Sequence, residues 1–194
     1  MRQPAVFFGH GSPMIALGGP CADVWREIGE AVDKPKGVVM VSAHWETSGI
    51  GVTAQAWPEA DVPVVQLSLD RRLDARGHFD LGRTLSALRD EDVVIAGSGD
   101  FVHNLRTWKR TGGEAYPWAT GFNEAVKSGL IRGDDGALID RVGLAEYAQM
   151  SVPTDEHFLP LLYVAAQRLP GDSISFFNDV IEGGSISMTG VRIG

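Results

Sequence analysis

Four of the five histidines in this sequence stand where a strand ends or a helix begins, positions from which side chains can meet at one site. Three of the four each follow a short apolar run, and the last precedes an apolar helical segment. Neutral imidazole is a common metal ligand and also a general acid–base group near neutral pH. The spacing therefore predicts a mononuclear metal site built from the side chains of His10, His44, His103 and His157.

The sequence leaves the ligand set of this site open. Two histidines with a carboxylate and open positions favour non-haem iron, whereas three histidines favour zinc as readily. Glu156 stands directly beside His157, so spacing does not decide which of them is the third ligand. The start of a helix disfavours imidazolium, which keeps His157 neutral and able to bind a metal. The fifth histidine, His78, lies in an amphipathic segment away from any strand end and is predicted to be structural.

The elements that must position these histidines alternate between strands and helices. Strands are predicted at residues 5–8, 37–42, 50–53, 61–69, 92–96, 173–177 and 185–193, and helices at 20–33, 74–90, 118–130, 136–150 and 154–168. This order predicts an α/β fold with a mostly parallel or mixed central sheet and helices on both faces. Ligands of such sheets bind outside the carboxyl ends of the strands. The metal site is therefore expected at the C-terminal edge of the strands.

Composition limits the class of protein and of partner. The 194 residues are 44% hydrophobic and 22% charged, which is enough for one domain over residues 1–194 with a sizeable core. A net charge of -8 argues against nucleic acid or an anionic membrane as the main partner. A single cysteine fits a reducing compartment, and no apolar stretch is long enough to span a membrane. These features predict a cytoplasmic protein.

Six segments, in order along nearly the whole chain, together resemble the DOPA 4,5-dioxygenase group of class III extradiol ring-cleavage dioxygenases. Any one of them is weak alone, but the set in this order is specific. The resemblance implies an oxidoreductase that opens the ring of a catechol, such as DOPA or a related aromatic, with dioxygen. The segments are residues 8–14 (FGHGSPM), 41–45 (VSAHW), 102–106 (VHNLR), 116–119 (YPWA), 153–162 (PTDEHFLPLL) and 184–188 (GSISM).

The same resemblance implies roles for individual residues. One divalent metal ion would be held by His10, His44 and His157, which places His157 rather than Glu156 as the third ligand. His103 would be the acid–base residue or a fourth ligand. Iron(II) is implied for activity, although members are described with zinc as well. The substrate would lie against Ser12 and Trp45.

The chain departs from this family in one respect. Members carry a long segment between the predicted strands at 50–53 and 61–69, and here the two ends meet near residues 55–56. Either the natural chain lacks this segment or the sequence omits it, and we favour omission. A missing wall of the site leaves two alternatives open, a zinc-binding homologue without catalysis and a zinc-dependent hydrolase in which a metal-bound water is the nucleophile. The sequence does not indicate an oligomeric state.

Overall fold

A computed structural model describes residues 2–11, 20–44, 56–144 and 146–194 of the chain. The strands in this part are β1 Ala5–Gly9, β2 Gly37–Ser42, β3 Val64–Leu67, β4 Val93–Gly99, β5 Ile174–Phe177, β6 Ile181–Glu182, β7 Ile186–Ser187 and β8 Gly190–Ile193. The α-helices are α1 Pro20–Glu30, α2 Ala75–Thr84, α3 Pro117–Arg132, α4 Asp135–Ile139, α5 Arg141–Leu144, α6 Ala148–Ser151 and α7 Leu159–Ala165. Two short 3-10 helices cover Ser86–Glu91 and Leu105–Thr107.

The described strands form a six-stranded sheet in the order β3-β2-β4-β1-β8-β5 and a separate hairpin of β6 and β7. The first four strands of this order are parallel, and β8 runs antiparallel to both of its neighbours. Parallel pairing requires crossovers. The described helix α1 lies in the connection from β1 to β2, and α2 lies in the connection from β3 to β4. The predicted class, α/β with a mostly parallel central sheet flanked by helices, is confirmed.

Alternation of side chains along the central strands divides the core into two layers. Phe7 of β1 and Ile95 of β4 face one layer, where α3 and α7 pack, and Val6 and Phe8 face the other, where Trp25 of α1 packs. The central strands are apolar on both faces because helices cover both. Among the described residues, no helix is long and apolar enough to cross a membrane.

Several predicted elements differ from the structure, and one cannot be compared with it. The strand predicted at 185–193 is divided into β7 and β8, which belong to different sheets. The helix predicted at 154–168 is limited to α7, and the one predicted at 74–90 continues beyond α2 as a 3-10 helix. The strand predicted as buried at 61–69 is the shorter β3 at the sheet edge, where Val65 is 65% exposed. The helix predicted at 136–150 is divided into α4, α5 and α6. The break between α4 and α5 falls at Asp140, which leaves the helical conformation with ψ 64°. The predicted strand at 50–53 and the junction near 55–56 lie outside the described residues.

Candidate metal centre

The carboxyl ends of β1, β2 and β4 lie side by side and carry the candidate site. The ladder continues past the strands, since the His10 amide donates to the Gly99 carbonyl at 3.0 Å and the Ala43 amide donates to the Ser98 carbonyl at 3.1 Å. These bonds fix the backbone where His10 leaves β1 and where the chain turns into His44. Three parallel strands thus deliver their ends to one edge, as expected for a ligand site of this fold.

His157 reaches the same edge from the loop before α7. Its carbonyl accepts a hydrogen bond from the Asp100 amide at 2.8 Å, directly after β4. Gly99 permits this approach, because a Cβ atom there would lie 2.1 Å from the His157 carbonyl oxygen. Pro160 falls in the first turn of α7, where its missing N–H is harmless.

The rings of His10, His44 and His157 converge on one point. Each offers a ring nitrogen, and these atoms all lie within 4.8 Å of one another. The Nε2 atoms of His44 and His157 are 2.9 Å apart. The Nε2 atom of His10 is buried and has no hydrogen-bond partner among the described residues. A buried polar atom without a partner is costly, and a shared ligand would remove that cost.

The opposite ring nitrogens of two of these histidines have polar neighbours. The Nδ1 atom of His10 lies 2.9 Å from the Ser98 hydroxyl, and that of His157 lies 3.3 Å from a carboxylate oxygen of Glu156. Metal-binding histidines commonly donate their second N–H in this way, which orients the ring and leaves Nε2 as the ligand atom. The donor set therefore fits a single divalent metal ion, and the geometry does not select its identity.

Electrostatics favour the neutral form of the His10 and His157 imidazoles. Burial lowers the pKa of His10 well below its usual value, and the neighbouring rings of the cluster lower it further. Burial, together with the charges that His103 and His44 would carry, lowers the pKa of His157 to about 3, although Glu156 works in the opposite direction. Neutral imidazole is the form that binds metal, so the cluster is ready for a cation at neutral pH.

His103 lies beside the three converging rings. Its ring stacks on that of His157 with centroids 3.4 Å apart and an interplanar angle of 9°. Its amide donates to the Ser151 carbonyl at 2.8 Å, and it bridges to Ile186 at the start of β7. Burial lowers the pKa of His103, so the ring is uncharged at neutral pH and its unprotonated nitrogen can accept a proton.

Two further residues at this edge were not predicted from the sequence. Ser98 is the neighbour of His10 described above, and Asp100 accepts a hydrogen bond from the His10 amide at 3.2 Å through Oδ1. Burial raises the pKa of Asp100 well above its usual value, and the charge of Glu182 adds to the effect. Ser98 lies at the end of β4 and Asp100 follows directly after it. Because β4 pairs with β1, knowledge of the strand order would have been needed to find these two residues from the sequence.

The remaining predicted site residues have separate positions. Glu156 accepts a hydrogen bond from the Thr154 hydroxyl at 2.7 Å and sits behind the His157 ring, on the side of Nδ1. His78 is distant in the fold, buried against Tyr163. Ser12 and Trp45, the predicted substrate contacts, lie outside the described residues.

Fold and site together define an α/β protein with a histidine cluster that could hold a metal ion at the carboxyl edge of its sheet. No family model matches the chain. The 4,5-DOPA dioxygenase extradiol of Escherichia coli (strain K12) is 35% identical over 261 aligned positions, covering 100% of this chain and 95% of the relative. The 4,5-DOPA dioxygenase extradiol of Beta vulgaris is 27% identical, covering 80% and 83%. The chain belongs to the family of extradiol ring-cleavage dioxygenases.

A solved structure supports the same relationship. The crystal structure of an uncharacterized protein from Escherichia coli K12 matches with a TM-score of 0.91 at 33% identity, covering 100% of both chains. One difference from the relatives stands out. The alignment with the Escherichia coli dioxygenase has 261 positions and this chain has 194 residues, so at least 67 positions (261 − 194) face a gap in this chain.

Proposed function

We propose that this protein uses iron(II) to open the ring of a catechol, such as DOPA or a related aromatic, with dioxygen. The observation that carries the proposal is the convergence of ring nitrogens from His10, His44 and His157 within 4.8 Å. Three protein ligands leave further positions on a metal ion for substrate and dioxygen. The relatives named as extradiol dioxygenases support this chemistry over other uses of the same donor set.

The roles of the side chains follow from their protonation and placement. His10, His44 and His157 would hold the ion as neutral ligands. When bound, a divalent metal supplies Lewis acidity that lowers the pKa of a catechol hydroxyl and brings the two substrates together. His103 would accept the hydroxyl proton at a ring nitrogen and return it during ring opening, since its lowered pKa leaves the ring neutral.

The test is reconstitution of the full chain with iron(II) in the absence of oxygen, followed by addition of a catechol and then air. A yellow ring-fission product, recorded by its visible absorbance and by mass, is expected for at least one member of a catechol panel. The matched control is the His157→Ala variant treated in the same way, for which we expect no product. No product from the original chain with any catechol would reject the proposal.

A second candidate function is metal binding without ring cleavage, as a zinc-binding homologue or a zinc-dependent hydrolase. The specific observation in its favour is the gap of at least 67 aligned positions relative to the Escherichia coli dioxygenase (261 − 194). Loss of so much sequence can remove a wall of a substrate site while leaving the ligands in place. Tight zinc binding with hydrolysis of a chromogenic ester, and no oxygen consumption with catechols, would favour this candidate.

A further inference from the structure

Asp100 is a buried carboxyl group beside the histidine cluster, and one of its oxygens has no hydrogen bond with the cluster or with any other described residue. The side chain of Asp100 has no exposed surface. Its Oδ1 atom accepts the His10 amide, but its Oδ2 atom has no hydrogen-bond partner among the described residues. Burying a charge without a partner is strongly unfavourable, so a carboxylate here requires a counter-charge.

The unpartnered oxygen of Asp100 is close to the metal ligands. Oδ2 lies 4.0 Å from Nε2 of His10, the ring nitrogen that also has no partner in the described structure. Asp100 also forms a second group with His103 and His157, in which one potential ligand atom of each lies within 4.8 Å of the others. Among the described residues, Asp100 forms no ion pair with a lysine or an arginine, and the titratable group closest to its Oδ2 atom in an ionic contact is His10.

Bracing of the backbone does not require this charge. The Asp100 amide donates to the His157 carbonyl at 2.8 Å, and Oδ1 accepts from the His10 amide at 3.2 Å, so the residue joins the loops of two ligands. Asparagine could make both of these hydrogen bonds through its backbone amide and side-chain carbonyl. The presence of a carboxyl group rather than an amide, with its Oδ2 atom unpartnered among the described residues, therefore needs a separate reason.

We propose that Asp100 supplies the anionic group of the metal site, acting on the bound divalent ion either as a further ligand or through a metal-bound water. The proposal rests on the metal site of the proposed function. Three neutral imidazoles leave the full double charge of the ion within a buried site, and a carboxylate at this place neutralises part of it. The ion in turn is the counter-charge that buried Asp100 otherwise lacks.

The test compares Zn²⁺ affinity of the full chain with that of Asp100→Asn, measured by competition with a chromophoric chelator at fixed pH. We expect Asp100→Asn to bind Zn²⁺ roughly 10–100-fold more weakly. The metal-free variant should unfold at the same temperature as the metal-free original or a higher one, because an amide is less costly to bury than an unpaired charge. If Asp100 only braced the loops, Asp100→Asn would leave the Zn²⁺ affinity unchanged, because asparagine can make the same two hydrogen bonds.

Asp155→Asn is the matched control, because it removes the same charge two residues before His157 from a side chain that is 53% exposed. We expect its Zn²⁺ affinity to stay within about 2-fold, since exposed charges are screened. If Asp100→Asn does not fold, Asp100→Ser provides the same measurement with a smaller neutral side chain.

Equal Zn²⁺ affinity of a folded Asp100 variant and the original chain would overturn the inference. Failure of the original chain to bind either Zn²⁺ or iron(II) would overturn both the inference and the proposed function. Tight metal binding that weakens in Asp100→Asn, combined with no ring cleavage by the iron(II) form, would reject the proposed function and leave the role of Asp100 supported.

Discussion

Two histidine environments in this protein are similarly buried but differ in what faces the ring nitrogens. His157 is 3% exposed and belongs to the cluster at the sheet edge, whereas His78 is 1% exposed and lies between α2 and α7. The Nδ1 atom of His78 is 2.9 Å from the Tyr163 hydroxyl, and the His78 ring also has a hydrogen bond with the backbone of Asp70. The Nε2 atom of His157 instead faces another imidazole nitrogen at 2.9 Å.

The comparison shows that burial and a lowered pKa do not by themselves identify a metal site. Burial lowers the pKa of His78 as it does that of His157, and burial also raises the pKa of Tyr163 to about 12. The Tyr163 hydroxyl therefore keeps its proton and satisfies the His78 ring. The cluster differs because ring nitrogens of three histidines converge on one point, and one of them, the Nε2 atom of His10, has no hydrogen-bond partner among the described residues.

The largest expected effect comes from removing a ligand of the cluster. His44→Ala should weaken Zn²⁺ or iron(II) binding by more than about 100-fold, because loss of a ligand exceeds the effect of losing a neighbour that orients one. The measurement is metal content after dialysis together with chelator competition. His78→Phe is the control and should bind metal as the original chain does. Equal metal content in the original chain and the His44 variant would remove His44 from the site.

Replacing His103 should separate catalysis from metal binding. His103→Ala should keep the metal and lose about 10²–10⁴-fold in turnover of the catechol, the range typical of a lost general acid–base group. Metal content and initial rate are measured on the same sample. Loss of the metal together with loss of turnover would instead make His103 a fourth ligand, and the metal-binding cluster would then contain four histidines rather than three.

A smaller effect, on folding only, is expected at the other histidine. His78→Phe leaves the buried Tyr163 hydroxyl without a partner and should lower the free energy of unfolding by about 1–3 kcal/mol. Adding Tyr163→Phe removes the unsatisfied group, so the double variant should recover part of this loss. Urea unfolding of the two single variants and the double variant gives the coupling energy. A coupling energy of zero would show that the two side chains do not interact.

The smallest effect is the pH dependence of the difference in unfolding free energy between the original chain and His78→Phe. The pKa of folded His78 is lowered by burial, while the unfolded chain titrates near 6.5, so below that pH the unfolded state binds a proton that the folded state does not. The stabilisation from neutral His78 is thus present above about pH 6.5 and is lost as the pH falls below it.

The penalty of His78→Phe should therefore shrink between pH 7.5 and 5.5, by at most about 1.4 kcal/mol per pH unit. Unfolding in urea with a chelator present measures it, and the contributions of the cluster histidines cancel in the difference. A penalty that is constant, or that grows toward acid pH, would mean that His78 carries a proton in the folded protein.

Local patterns in the sequence determined the class of the protein and the main donors of the site. Apolar runs followed by His10 and His44 predict strand ends, and the carboxyl ends of parallel strands share one edge whatever their order. The position of His157 before a helix that begins near Pro160 follows from the restricted backbone of proline. These inferences needed no knowledge of which strands are neighbours.

Only the tertiary structure decided which groups surround those donors. The placement of β4 between β2 and β1, in a register that pairs Gly9 with Gly99, brings Asp100 and Ser98 to His10. Residues about 90 positions apart carry no local pattern that records such a pairing. The strand order also places β3 at the exposed edge of the sheet. The sequence could not predict this position, because an apolar run is compatible with a central or an edge strand. Sequence periodicity indicates on which face of a strand or helix a side chain lies. The residues that this side chain contacts are determined only when distant segments of the chain pack together.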